Sequence, residues 1–539
     1  VASVSARITT ALNSSVTNVF GVIGNGNIHL LDAIERSQLR FTAVRHEGAA
    51  VTAADAYSRV CGEIGVATTT YGPGFTNAVT GLAEAARARI PLVLVTGDAP
   101  TSGSRPWDVD QAAVAAGVDV PTYVVDTTRP VATTHDALRH ARQYHCPVVL
   151  AVPYDVAALE ADDVETPPPS RPAPRPEQPT TGQLRQVAEL LNAAQRPLLL
   201  AGRGARLADA GPAIEKLSDR LGALTATTVA ARSLLRDEGH LGIAGGFGSA
   251  GAVALMAEAD VVVVFGAGLN QFTTRAGKLF DNAATVIQID LTDTATNELV
   301  ALFVHADAGA TAEQIGQYIT DSDVPTWRER EAARLARATD REPGAALAAD
   351  GRLDPRSLAI ELNDIIPASR VVVQDGGHFI GWAPMYWDIP GPHALHTVGT
   401  AYQAIGTGLP SAVGANLAGC DTTTVLTTGD GGMLMSLADL ETVVRTTRSG
   451  IVVVFNDAAY GAEIHQHGAS GVARDPMMIP QVDFAGIAAA LGATTARVDT
   501  LDDLDTLREW VAAGADGLFV LDCRVSPTVA APYIVEHAS

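Results

Sequence analysis

Residues 423–457 read TTVLTTGDGGMLMSLADLETVVRTTRSGIVVVFND. Thr424–Thr428 and Ile451–Asn456 are short β-branched, largely apolar runs, the pattern of strands buried on both faces. Between them, Gly429-Asp430-Gly431-Gly432 opens onto the helical stretch Ser436–Thr446. Strand, glycine turn, helix and strand form one βαβ unit with a right-handed crossover. The glycines let the backbone approach a phosphate, and a helix start offers free N–H groups. Asp430 supplies a carboxylate for a divalent cation, and Asn456-Asp457 supplies a second oxygen ligand 27 positions later, at the end of the next strand. A hard cation between two such oxygens is a common way to hold a diphosphate. Gly-Asp-Gly alone reads rather as a surface turn; the second oxygen reverses that in favour of the ligand reading.

The same alternation recurs along the chain. Asn18–Ile23, Gly65–Thr70, Leu92–Thr96 and Pro147–Val152 read as strands, separated by amphipathic stretches such as Gly48–Arg59 and Thr76–Ala88. Pro197–Ala201, Val261–Gly266 and Val286–Asp290 follow, then Arg370–Gln374 and Leu518–Cys523. Two connections divide the chain. Residues 165–182 hold seven prolines in eighteen positions, which favours extended chain over helix or central strand. Residues 323–351 are charged and Ala-rich, reading as a surface helix that ends in an exposed connection. The expected architecture is α/β, with three doubly wound parallel-sheet domains at 1–164, 183–322 and 352–539. In such sheets ligands bind beyond the carboxyl ends of the strands, where the glycine-rich and polar motifs fall.

Composition narrows the class. The 539 residues carry a net charge of −23, against the basic face that nucleic-acid binding needs. A small anionic substrate must then be drawn by local groups. Cys61, Cys146, Cys420 and Cys523 lack CxxC spacing and read as fillers in a reducing compartment. No stretch approaches the ~20 apolar residues of a membrane span. The start shows no basic-then-apolar signal pattern, and its missing Met reads as processing or trimming. A cytoplasmic enzyme is the expectation.

Arg45-His46-Glu47, Ala53-Ala54-Asp55-Ala56-Tyr57 and Gly72-Pro73-Gly74-Phe75-Thr76-Asn77, taken with the GDG block, resemble the thiamine-diphosphate (ThDP) enzymes of the 2-oxo acid decarboxylase and carboligase superfamily, most of all the acetolactate synthase large subunit. The resemblance spans almost the whole chain. It implies that Glu47 hydrogen-bonds the cofactor's pyrimidine N1′ and, as a half-buried acid, helps activate it. It places Gly72, Pro73 and Asn77 near the cofactor. It gives Gln403 a carbonyl contact to the 4′-amino group, within the block Gln403–Pro410, and makes Ile405 the wedge that bends the cofactor. Gly429, Asp430, Gly431, Gly432, Asp457, Ala459, Tyr460 and Gly461 would then surround the diphosphate, with Asp430, Asp457 and the Ala459 carbonyl on Mg²⁺. The family has Asn where this chain has Asp457; the change adds negative charge and keeps an oxygen donor. Without the resemblance, Glu47 reads as a surface salt-bridge residue and Ile405 as core packing.

The pocket positions divide the reaction classes. The His-His pair of the pyruvate decarboxylase type is absent from Arg105–Gln111, whereas Gln111 matches the synthases. Glu463 points the other way: the decarboxylase type has a catalytic Glu six residues after the second metal ligand. Glu463 is a proton donor on that reading and an exposed helix residue otherwise. Asn25 either faces the substrate oxyanion or serves a left-handed turn. His29 and His378 are proton relays or structural histidines. His465, His467 and 468–480 read as a lid that excludes water or as an ordinary loop. In the central segment, Gly202-Arg203-Gly204 and Gly266–Asn270 are suitable turns, but the family's Gly-Ala-Arg-Phe flavin signature reads Gly-Ala-Gly-Leu at 266–269, so FAD is not expected.

The resemblance thus implies decarboxylation of a 2-oxo acid with carboligation to a second carbonyl compound. Its alternatives are simple release of an aldehyde and a non-catalytic ThDP-binding paralogue. It further implies a homodimer or homotetramer with sites shared between chains, and neither nucleic-acid nor membrane partners.

Overall fold

The computed structural model describes residues 2–161, 178–280, 285–320, 324–419, 421–468 and 470–534. Most of the Pro-rich connection, residues 321–323 and Cys420 lie outside them. Three six-stranded sheets, parallel throughout, follow one another along the chain, as expected. The first contains β1 (Asn18–Gly21), β2 (Arg40–Ala43), β3 (Gly65–Thr69), β4 (Leu92–Asp98), β5 (Thr122–Val124) and β6 (Pro147–Pro153), in spatial order β2-β1-β3-β4-β6-β5. The second contains β7 (Pro197–Ala201), β8 (Leu224–Thr227), β9 (His240–Ile243), β10 (Val261–Phe265), β11 (Thr285–Asp290) and β12 (Val300–His305), ordered β12-β11-β10-β7-β8-β9. The third contains β13 (Arg370–Gln374), β14 (Leu395–Thr397), β15 (Thr423–Gly429), β16 (Ser449–Phe455), β17 (Thr494–Val498) and β18 (Gly517–Cys523), ordered β14-β13-β15-β16-β18-β17. In each sheet the strand order reverses beside the first strand, which creates a crevice at the carboxyl ends.

Alternation along central strands feeds two cores. On β16, Val452 and Val454 pack on one face of the sheet, and Ile451, Val453 and Phe455 pack on the other. Leu92 and Leu94 of β4 join the first of these clusters, so one apolar core runs continuously from the first domain into the third. At their junction, helix Glu47–Cys61 crosses helix Gly408–Asn416 with small residues in contact; a side chain on Gly414 would overlap the Ala53 carbonyl. Close backbone approach of this kind requires glycine. Arg59 ties the same junction, pairing with Asp55 at 2.5 Å and Glu84 at 3.1 Å and donating to the Thr397 carbonyl at 3.0 Å.

The segment 323–351 differs from a free surface helix. It forms two short turns of helix, Trp327–Arg330 and Ala332–Leu335, and buries Trp327 and Ala338 in the central core. Arg328 anchors it to Asp219 and Asp237. The tail of the Pro-rich connection starts the next helix, Thr181–Ala193, through a capping box between Thr180 and Gln183.

Candidate active site

The first half of the site lies at the carboxyl edge of β1–β4. Glu47 opens helix Glu47–Cys61, half-buried, and its Oε2 accepts from Asn77 Nδ2 at 3.0 Å. Asn77 sits in the first turns of helix Pro73–Arg87, which Gly72 enters at φ +62°. Gly74 faces Thr70 and Glu47. Gln111 is 2 % exposed; its Oε1 accepts from the Gly72 N–H at 2.8 Å and its Nε2 donates to the Gly97 carbonyl at 2.9 Å. Gln111 therefore braces the glycine turn. Asn25 is exposed on the same edge and donates to the hydroxyls of Tyr71 (3.2 Å) and Tyr154 (3.4 Å). Arg105 stacks on both rings and is held by Asp108. His29 lies elsewhere, exposed in a groove with Ser3, Asp32 and Arg36.

The second half lies at the carboxyl edge of β13, β15 and β16. Asp430 (2 % exposed) opens helix Asp430–Met435, and Asp457 (8 %) follows β16. One backbone N–H, that of Ala459, donates to both carboxylates, at 3.1 Å to Asp430 and 3.2 Å to Asp457. Burial raises the Asp430 carboxyl to about 6, and burial followed by the charge of Asp430 raises Asp457 to about 8. Neither carboxylate has an ion-pair partner among the described residues. Two buried carboxyl groups sharing one donor, with no basic side chain paired to either among the described residues, fit a hard divalent cation that keeps further oxygens from a phosphate or water. The Tyr460 ring covers Gly431, and Gly461 leaves room between Asp457 and His378. Asn456 turns away: its amide donates to Asp522 at 2.8 Å and accepts from Gln481 at 2.9 Å.

His378 is buried, and its Nε2 accepts from the Ala531 N–H at 3.0 Å. Burial, reinforced by neighbouring His465, lowers its pKa to about 3. A histidine so placed stays neutral. Glu463 projects, exposed, from helix Gly461–His467. Gln403 takes a left-handed φ of 61°, and Ile405 is 39 % exposed with its Cγ2 against Gly376. Within 468–480, Ile479 donates to the Ala458 carbonyl at 2.9 Å and Met478 bridges Ala459, so the end of this stretch, 477–479, is fastened beside the carboxylates.

His378, Gln403, Ile405, Gly429, Asp430, Gly431, Gly432, Asp457, Ala459, Tyr460 and Glu463 line one cavity of about 940 Å³. Glu47, Gly72, Pro73, Asn77, Gln111 and Asn25 do not. The two sets of residues therefore do not share that cavity. Sequence reasoning missed Asp375, which follows β13, and the Tyr71–Arg105–Tyr154 cluster. An acid placed directly after a buried strand and before two glycines was a usable signal for Asp375; nothing in the sequence marks three residues so far apart as a cluster.

Three family models match in order: the thiamine pyrophosphate enzyme N-terminal TPP binding domain over residues 3–117, the central domain over 184–315, and the C-terminal TPP binding domain over 375–523. The chain belongs to the thiamine pyrophosphate enzyme family. Its relatives include a sulfoacetaldehyde acetyltransferase of Rhodobacter capsulatus, 30 % identical over 93 % of this chain and 90 % of the relative. A probable acetolactate synthase large subunit of Methanococcus aeolicus is 27 % identical over 95 % and 90 %. A sulfoacetaldehyde acetyltransferase of Alcaligenes xylosoxydans xylosoxydans is 28 % identical over 93 % and 88 %. The two names recur at similar identity, so likeness fixes the family and leaves the reaction to the site. No helix among the described residues is long and apolar enough to cross a membrane.

Proposed function

We propose that this protein is a ThDP- and Mg²⁺-dependent enzyme that decarboxylates a 2-oxo acid and ligates the remaining fragment to a second carbonyl compound. The observation that carries the reading is the buried pair Asp430 and Asp457 sharing the Ala459 N–H beside a glycine turn, in a chain whose Glu47 is held at the equivalent edge of another sheet. Bound ThDP would supply an electron sink for the carbon that loses CO₂. Every remaining task falls to the chain. Asp430, Asp457 and the Ala459 carbonyl would hold the cation and so the diphosphate. Ile405 and the Gln403 carbonyl would orient the aminopyrimidine. Glu47, fixed by Asn77, would share a proton with a ring nitrogen. Glu463 is the exposed acid at the cavity wall that would deliver a proton, neutral His378 shapes the wall, and Asn25 would reach a substrate oxygen only by giving up its hydrogen bond to Tyr71 or Tyr154.

The separation of the half-sites supports a homodimer in which one copy's Glu47 edge covers another copy's Asp430 cavity. Both edges expose apolar side chains: Ile23 (63 %) and Trp107 (53 %) on one, Ile405 and Met435 (56 %) on the other. Exposed apolar surface beside polar groups is what a partner copy would cover. The reading needs no flavin. Gly202 and Gly204 pack directly on Gly266 and Ala267, so these glycines serve turn-to-turn contact, and Tyr533 stacks on Phe247 at 4.3 Å in the same cavity. The test is product analysis with pyruvate alone, then with an added aldehyde or 2-oxo acid, and separately with sulfoacetaldehyde. A ligated hydroxyketone or hydroxy-oxo acid supports the proposal. Free aldehyde only, or turnover of sulfoacetaldehyde only, refutes it.

A further inference from the structure

Asp375 is fully buried, yet no basic side chain pairs with it among the described residues. Its carboxylate is satisfied by neutral donors from separate segments. Oδ1 accepts from the Gly376 N–H at 2.8 Å, the Thr407 N–H at 3.2 Å and the Thr407 hydroxyl at 3.1 Å; Oδ2 accepts from the Thr428 hydroxyl at 3.3 Å. A Cβ on Gly432 would overlap Oδ2, and one on Gly408 would lie 3.1 Å from it. One side chain therefore touches the end of β13, the end of β15, the first turn of helix Asp430–Met435, and the loop leading into helix Gly408–Asn416. That loop carries Ile405, whose Cγ2 rests on Gly376, the residue next to Asp375. A buried carboxylate without a cationic partner is costly relative to an apolar residue, so packing alone is a poor reason for an acid here. An acceptor-only group with two oxygens is what can gather hydroxyl and N–H donors from converging segments at one point.

We infer that Asp375 is a positioning residue that fixes the spacing between Ile405, which orients the aminopyrimidine, and the Asp430–Asp457 pair, which anchors the diphosphate. The inference rests on the cofactor assignment above and deepens it. Asp375 touches neither end of the cofactor; it sets how far apart the two ends are held. Asparagine is nearly isosteric but loses the charge and one acceptor: turned toward Gly376 and Thr407 its NH₂ faces N–H donors, and turned toward Thr428 it meets a hydroxyl that must accept and donate to the Gly429 carbonyl instead. Either arrangement weakens the hold on the Thr407 loop, and the loop shifts against the anchor.

The test compares Asp375→Asn, Thr407→Val and Thr407→Ser with the wild type as folded full-length proteins stripped of cofactor. Calorimetry measures binding of Mg²⁺ with inorganic pyrophosphate, which uses only the anchor, and of Mg²⁺ with ThDP, which uses both ends. Hydrogen–deuterium exchange at the thiazolium C2 is followed at saturating ThDP. Thermal midpoints of the cofactor-free proteins report the fold. The expectation is that Asp375→Asn and Thr407→Val bind pyrophosphate within about threefold of wild type, bind ThDP at least tenfold more weakly, and exchange C2 at least tenfold more slowly per bound cofactor. Thr407→Ser, which keeps the hydroxyl, behaves as wild type. Should Asp375→Asn fail to fold, Thr407→Val carries the comparison. The inference is overturned if pyrophosphate and ThDP weaken equally, which would mean mere support of the anchor. It is also overturned if both variants bind and exchange as wild type. Absence of ThDP binding or C2 exchange in the wild type itself would instead defeat the cofactor assignment, and this inference with it.

Discussion

Replacing Asp457 by asparagine isolates the electrostatics of the carboxylate pair. Burial and the neighbouring charge lift Asp457 from an ordinary 3.8 to about 8. In cation-free protein it therefore holds a proton at neutral pH that the unfolded chain has released. Its stabilising contribution is fully present below the unfolded pKa and is lost as pH rises through the folded value near 8. Between about pH 4.5 and 7.5 the difference approaches one proton, a slope of about 1.4 kcal/mol per pH unit. Across that window the loss is on the order of 4 kcal/mol. Binding a divalent cation must expel the proton, so calorimetry in buffers of different ionisation enthalpy should detect about one proton released per site at pH 7 and almost none at pH 9. Asp457→Asn should abolish the release, flatten the pH dependence of cation-free stability and weaken cation binding. Denaturation of chelator-treated protein from pH 5.5 to 8.5 supplies the second readout. A wild type whose cation-free stability does not fall over that range, or a variant that still releases a proton, would falsify the account of the pair.

Other outcomes follow from single contacts. Glu47→Gln preserves the hydrogen bond to Asn77 in shape but removes the ionisable group; cofactor affinity should stay within about tenfold while product formation falls by more than a hundredfold, and full activity would end the proton-sharing role. Gln111→Leu leaves the Gly72 N–H without its partner and the Gly97 carbonyl with only the Thr96 hydroxyl, a cost of about 1–3 kcal/mol visible as a lower unfolding midpoint; an unchanged midpoint would show that the turn does not need its brace. Gly414→Val forces a side chain into the Ala53 backbone, so the first and third domains should separate at milder denaturant, by about 3 kcal/mol or more. Because His378 stays neutral down to about pH 3, its ring resonances should not titrate between pH 5 and 8; a titration there would contradict its buried, accepting geometry.

The strands that were legible in sequence are those buried on both faces, such as Val261–Phe265 and Gly517–Cys523. Those that escaped are short or at sheet edges. β2, β5 and β17 leave residues exposed, so neither a continuous apolar run nor strict alternation marks them. The helix expected at Ser436–Thr446 begins earlier, at Asp430, and is interrupted near Leu437–Asp439. Asp439 accepts from the Arg45 N–H at 2.9 Å, a contact between residues 394 positions apart. The meeting of Asp430 and Asp457 was legible because both acids follow adjacent strands. The role of Gln111 was not, since the residue type matches a pocket position while its amide is spent on two backbone groups. The contacts of Asn456 show the same limit: Asp522 and Gln481, distant in sequence, claim its side chain.

The composite nature of the site is tested most directly by mixing two inactive variants. Glu47→Gln disables one half-site and Asp430→Ala the other. If one copy's Glu47 serves a neighbour's Asp430, a hybrid dimer contains one site with both groups intact and one with neither. Random exchange of subunits then restores about a quarter of wild-type turnover, a result neither variant gives alone. Inactive mixtures, once labelled subunits prove that hybrids have formed, would contradict the shared site.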